Sequence, residues 1–106
     1  NKSIVRRLAM KSIDFTVEYK NATNPQEAFE IVKNYITPEN IAKYQVKAEF
    51  EYDPDNGVIT ASGKGFKLNM EFADSHVDVG LDLLFLLKAL KGKLLGSIRK
   101  EVARYI

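Results

Sequence analysis

The chain has a single histidine, and its neighbourhood is the first place to look for chemistry. His76 opens the segment HVDVGLDL, with Asp78 two residues on. Alternate side chains of a strand share a face, so His76 and Asp78 project together. Glu71, from the preceding segment FKLNMEF, can lie on the same sheet face. An imidazole among carboxylates is the material of an acid–base pair or a metal site. It is equally what any solvated strand surface carries, and that plainer reading is the one adopted.

Other reactive types are poorer still. There is no cysteine, which excludes a disulfide scaffold, a thiol nucleophile and a cysteine-ligated metal. Ser3, Ser12, Ser62, Ser75 and Ser97 sit in no nucleophile-elbow context. GKGFK at Gly63–Lys67 has neither the spacing nor the following helix of a phosphate-binding loop. Glu49 and Glu51 share a face, as carboxylates on any outer strand do. The expectation is a protein that is not an enzyme, with no catalytic residue, no metal and no cofactor.

Binding is better served. Phe15, Tyr19, Phe50, Tyr52, Phe66, Met70 and Phe72 all fall on the apolar side of alternating segments. They could line a space for an apolar ligand between sheet and helix. Core packing explains the same residues, and in so short a chain most of that space should be filled.

The elements that would position these groups follow from periodicity. Residues 12–20 alternate, with Ile13, Phe15, Val17 and Tyr19 against Asp14, Thr16, Glu18 and Lys20, as in a half-buried strand. Asn24-Pro25 with Glu27 three residues beyond Asn24 predicts a capped helix, whose apolar stripe is Ala28, Phe29, Val32 and Ile36. Thr37-Pro38-Glu39 repeats the code and predicts a short helix over Pro38–Lys43. Four alternating segments follow, with turns at PDNG, around Gly63–Gly65, and at ADS. Asn56-Gly57 is the strongest hairpin signal among them.

The last segment, Leu84–Ile106, is helical in pattern. Leu84, Leu87, Leu94, Leu95, Ile98, Val102, Tyr105 and Ile106 share one arc, the natural partner of the apolar sheet face. Val79, Leu81, Leu94, Ile98 and Val102 are expected in the core. Ala89, Gly92, Gly96 and Ala103 form a separate narrow stripe, flanked by Lys93, Lys100 and Arg104 on one side and Lys88 and Arg99 on the other. Each interior glycine costs about 0.8–1 kcal/mol relative to alanine. The stripe therefore reads as a surface of close approach, within the chain by preference, or else to a second copy or a partner. The fold class is α+β: a five-stranded antiparallel sheet in the order β-α-α-β-β-β-β-α, with the long last helix on one face.

The 106 residues suit one domain, and 45% hydrophobic content is enough for a core. Residues 1–9 carry Lys2, Arg6 and Arg7 and no acid, while Met10-Lys11 precedes the first strand. The division is an N-terminal extension over 1–9, flexible or not native, and a domain over 10–106. Residues 10–83 are acidic, whereas the last segment carries six cations against Glu101 alone. Nucleic acid is not favoured, because the body is acidic and the aromatics face inward. No apolar run nears the roughly 20 residues of a membrane span, and residues 1–9 lack a signal peptide's apolar core. A cytoplasmic location is expected.

The run HVDVGLDLLFLLKALKGKLLGSIRKEV, with its Ala89-Leu90-Lys91-Gly92-Lys93 element, resembles the end of the small bacterial proteins called putative polyhydroxyalkanoic acid system proteins. GVITASGKGFKLNMEF fits the same layout, and the resemblance covers about Val46 to Ile106. The earlier NPQEAFEIV is more similar to the opening of helix-grip domains of the START and Bet v 1 type, where a curved antiparallel sheet grips a long helix. The resemblance implies a bacterial protein linked to polyester storage granules and supplies no catalytic positions. The functional expectation is a non-catalytic interaction protein. It would meet a granule, another apolar surface or a protein partner through Lys88, Ala89, Gly92, Lys93, Gly96, Arg99, Lys100, Ala103 and Arg104, and a homodimer is left open. The alternative is a small helix-grip domain holding a hydrophobic molecule between sheet and helix.

Overall fold

A computed structural model describes residues 13–44, 47–83 and 91–106. Its strands are β1 (Phe15–Glu18), β2 (Glu49–Asp53), β3 (Val58–Gly63), β4 (Phe66–Phe72) and β5 (His76–Leu83). Its helices are α1 (Pro25–Tyr35), α2 (Pro38–Ala42) and α3 (Lys91–Tyr105). The fold is α+β: one five-stranded sheet in the order β1-β5-β4-β3-β2, antiparallel at every pairing. β2 to β5 form a meander because their connections are short, too short for a parallel crossover.

The turns show why. Gly63 pairs with Phe66 across Lys64-Gly65, and Gly65 takes a φ of 89°, which only glycine adopts at little cost. The Asn56-Gly57 signal closes a longer turn than the two-residue type, since Asp53 pairs with Val58 and four residues intervene. The Asp53 carboxylate holds that turn by accepting from the Asn56 backbone N–H at 3.2 Å and its side-chain amide at 2.8 Å.

α1 begins where its cap code places it. Asn24 Oδ1 accepts from the Glu27 N–H at 2.7 Å. Glu27 reaches back one residue further than a simple capping box, to the Thr23 N–H at 2.7 Å. Thr37 caps α2 by accepting from the Asn40 N–H at 3.2 Å, and the Asn40 amide donates to the Tyr35 carbonyl at 2.6 Å. This locks the α1–α2 corner.

The inner sheet face carries Val17, Ile59, Ala61, Met70, Phe72, Val77, Val79 and Leu81, all buried. Ala28, Phe29 and Val32 of α1 pack against it, with the Phe29 ring edge-on to Phe72 and Tyr52. Val102 of α3 and Ile106, directly after it, complete this core. The Ile106 carbonyl oxygen accepts from three successive N–H groups, Lys20, Asn21 and Ala22, at 2.7–2.9 Å. The other end of α3 is held by Lys91, whose ammonium lies 3.1 Å from Asp14. α3 therefore runs alongside β1.

Three expectations need correction. Asp14, expected on the outer polar face, turns to the sheet edge. Its Oδ2 accepts from the Leu81 N–H at 2.7 Å, because β1 is too short to offer a backbone acceptor there. The close contact expected at Gly92 and Gly96 is absent among the described residues: a Cβ at either would meet nothing within 4 Å. The reason is rotational, since Leu94, Ile98 and Val102 face the sheet and the glycines fall on the solvent side. Leu94 and Ile98, expected in a filled core, are only half-buried. The parts of the last segment at Leu84, Leu87, Lys88 and Ala89, and the extension over residues 1–9, lie outside the described residues.

Candidate functional site

The half-burial of Leu94 and Ile98 has a cause: they face a cavity of about 370 Å³ between α3 and the sheet. β3 and β4 supply its floor with Ile59, Ala61, Phe66, Leu68 and Met70. Leu81 and Leu83 of β5 lie on one side, and Ala48 and Phe50 on the other. Val32, Tyr35 and Ile36 reach it from α1, Ile41 and Tyr44 from α2 and just beyond. Across from the floor, α3 presents Leu94, Ile98, Glu101, Val102 and Tyr105.

The site arises because α3 is anchored at both ends on the β1 side of the sheet. The apolar faces of β2, β3 and β4 then extend beyond the reach of one helix. α1 covers the end nearest Phe72, but α2 is only five residues long and cannot complete the cover. Among the described residues, the apolar area left over borders a hollow.

Polar groups are few in this lining, and they fall at two places. At one, the Tyr35 hydroxyl donates to Glu101 Oε1 at 2.7 Å, and the Tyr105 ring lies 4.8 Å from that of Tyr35. Arg104 Nη1 is 3.6 Å from Glu101 Oε2. Tyr44 also lines this part of the cavity. Burial, and then the bond to the Glu101 carboxylate, push the Tyr35 hydroxyl far above the ordinary tyrosine range. Burial also pushes Tyr44 upward. These phenols are neutral at physiological pH, so they act as hydrogen-bonding groups and not as bases. At the other place stands Lys64, exposed in the β3–β4 turn.

Of the aromatic and sulfur residues expected to line a ligand space, Phe50, Phe66 and Met70 do so. Phe15, Tyr19, Tyr52 and Phe72 do not. Phe72 is buried against Phe29, and Tyr52 meets Phe29 edge-on, with the Lys33 ammonium 5.5 Å from its ring centre. Phe15 opens β1 and Tyr19 follows its end, both packed against the core, and the Tyr19 hydroxyl donates to the Ala73 carbonyl at 2.7 Å. Tyr35, Tyr44, Lys64, Leu68 and Glu101 were not anticipated as lining. Tyr35 and Tyr44 flank the TPEN corner, and their amphipathic rings were the available signal. The pairing of Tyr35 with Glu101 spans 66 positions and has no local trace.

Gly92, Lys93, Gly96, Arg99, Lys100 and Arg104 are exposed on α3, and Ala103 is half-buried. Structure brings them to one helix surface, away from the cavity. His76 and Asp78 do share the outer sheet face, 3.5 Å apart, with Thr16 Oγ1 donating to Asp78 at 2.8 Å. Among the described residues, no group of three histidines or acids is placed to hold a metal, and no helix is long and apolar enough to cross a membrane.

No protein-family model, no curated protein and no solved structure matches the chain.

Proposed function

We propose that this chain is a small ligand-binding domain that holds an apolar molecule between its sheet and α3. The observation that carries the reading is the cavity itself. At about 370 Å³ it sits at the lower end of the roughly 300–1,000 Å³ of ligand sites. Its lining is apolar apart from a few convergent polar groups, which is the composition such sites share. A hollow of this size is a standing cost to stability, because its walls lack packing partners. A ligand would recover that contact energy. The helix-grip layout that the sequence resembles supports the same reading.

The test is titration with 1-decanol, followed by amide and methyl chemical shifts. Binding in the cavity should move signals of Leu68, Met70 and Ile98 and leave the outer sheet face unmoved. Shifts confined to exposed positions, or none at all, would refute it.

A second reading is favoured by the exposed basic surface of α3, where Gly92 and Gly96 are unobstructed among the described residues. Lys93, Arg99, Lys100 and Arg104 would there meet an acidic partner or a granule surface. The polyester link rests on the resemblance alone. Co-sedimentation with polyhydroxyalkanoate particles, lost on reversing Arg99 and Lys100, is its test.

A further inference from the structure

The two polar places in the lining are separated along α3, and they differ in charge. Lys64 sits beyond Gly63, which pairs with Phe66, and Phe66 pairs with Leu83 at the end of β5. That is the Lys91 end of α3, since Asp14 binds both Lys91 and the Leu81 N–H. Glu101 is ten residues further along, about 15 Å at 1.5 Å per residue.

Resting on the cavity reading above, we infer that the ligand is an anionic amphiphile, with its head at Lys64 and its tail lying along the floor toward Val32 and Tyr35. The volume limits the tail. It equals about twelve waters of liquid, hence an aliphatic chain on the order of ten carbons. A charged head stays in water while the tail is desolvated, because burying an unpaired charge costs far more than the tail gains. The sign of the head is then set by the charges at the end where it remains wet.

At that end the described lining is positive. Lys64 is the one cation of the described lining. Lys47 is at the same end, since its carbonyl and the Phe66 ring leave no room for a Cβ on Gly63. Lys47 is exposed too, but it alternates with Ala48 of the lining and so falls on the outer side with Glu49, which leaves Lys64 as the charge of this end that faces the cavity. Of the described acids of this end, Asp14 is paired with Lys91, and Glu49 and Asp82 are exposed and alternate with inward residues, which puts them on the outer sheet face. The opposite end repels an anion. There the Glu101 carboxylate holds the Tyr35 hydroxyl, and its charge is only partly offset by the exposed Arg104.

Three ligands with one tail and different heads test this: decanoate, 1-decanol and decylammonium, each titrated at low salt below micelle formation. Decanoate should bind about two- to fivefold tighter than decanol, the worth of one solvated ion pair, and decylammonium weaker than decanol. Lys64→Glu should reverse the order of the two charged ligands while decanol affinity holds. Lys20→Glu makes the same change in net charge by the Ile106 end of α3 and should preserve the order. Lys64 is exposed in a turn, so its variant should fold, which circular dichroism checks. Equal binding of all three heads would overturn the head assignment and leave the cavity reading standing. So would equal effects of Lys64→Glu and Lys20→Glu. Tightest binding by decylammonium would overturn it in favour of a head at Glu101. Binding by none of the three would overturn the cavity reading and this inference with it.

Discussion

Single side chains close contacts in this protein that no local rule assigns. Tyr35→Phe removes the hydroxyl that joins α1 to Glu101 of α3 at 2.7 Å. A hydrogen bond to a charged acceptor at a partly exposed site is worth about 1–2 kcal/mol, so chemical denaturation should show a loss of that size. Tyr19 gives a pH signature. Burial, with the charges of Asp74 and Asp78 behind it, raises its hydroxyl from the ordinary 10.0 to about 12. The folded state keeps this proton when the unfolded chain has begun to lose it. The stabilisation is therefore whole below pH 10 and declines as pH rises toward 12. The denaturant midpoint should fall across that window, and Tyr19→Phe should make the fall shallower. An unchanged slope in that variant would place the titrating group elsewhere.

At the scale of elements, α3 decides most. Gly96 is exposed within the helix, and a Cβ there would meet nothing within 4 Å among the described residues. Gly96→Ala should then stabilise by about 0.8–1 kcal/mol through helix propensity alone, read as a rise in the unfolding midpoint. A loss would restore the close-approach surface that the small-residue stripe first suggested. The apolar side of α3 is uneven as well. Ile106 is fully buried and its carbonyl is bound by three N–H groups, whereas Ile98 borders the cavity. Truncation costs more where the surroundings are packed on all sides. Ile106→Ala should cost about 4 kcal/mol and Ile98→Ala about 2 kcal/mol or less. Equal losses would mean that the helix is packed as tightly at its middle as at its end.

The molecule as a whole is a sheet broader than its cover. Among the described residues, five strands offer more apolar face than α1, α2 and α3 close, and the remainder borders the cavity. Ala61 is buried in its floor, in the central part of β3. Ala61→Leu adds apolar volume to the hollow without changing charge. It should raise stability by about 1 kcal/mol, the order of one or two buried methylenes, and abolish decanol binding. A destabilisation of about 1–3 kcal/mol, the usual penalty for overpacking, would show that no such space exists.

Strand and helix order could be read from the chain because each rests on neighbours in sequence. Period-two alternation marked β2 to β5, and Asn24-Pro25 and Thr37-Pro38 marked the starts of α1 and α2 through caps that form within four residues. The antiparallel meander followed from turns too short for any other connection. Sequence also told inward from outward on each strand, so Phe50, Phe66 and Met70 were correctly placed toward the helix side. It could not tell which inward residues would be covered and which would border a hollow. Phe72 and Phe66 lie on the same face of β4, six residues apart, and read alike. Phe72 is buried because the Phe29 ring packs against it, and Phe66 lines the cavity because α2 stops short. The same holds for the glycines of α3, whose surroundings depend on how the helix is rotated by its anchors at Asp14 and at Lys20–Ala22. Those anchors join positions far apart in the chain. Where the cover falls on the sheet, and so where the space remains, is a property of distant contacts that only tertiary packing sets.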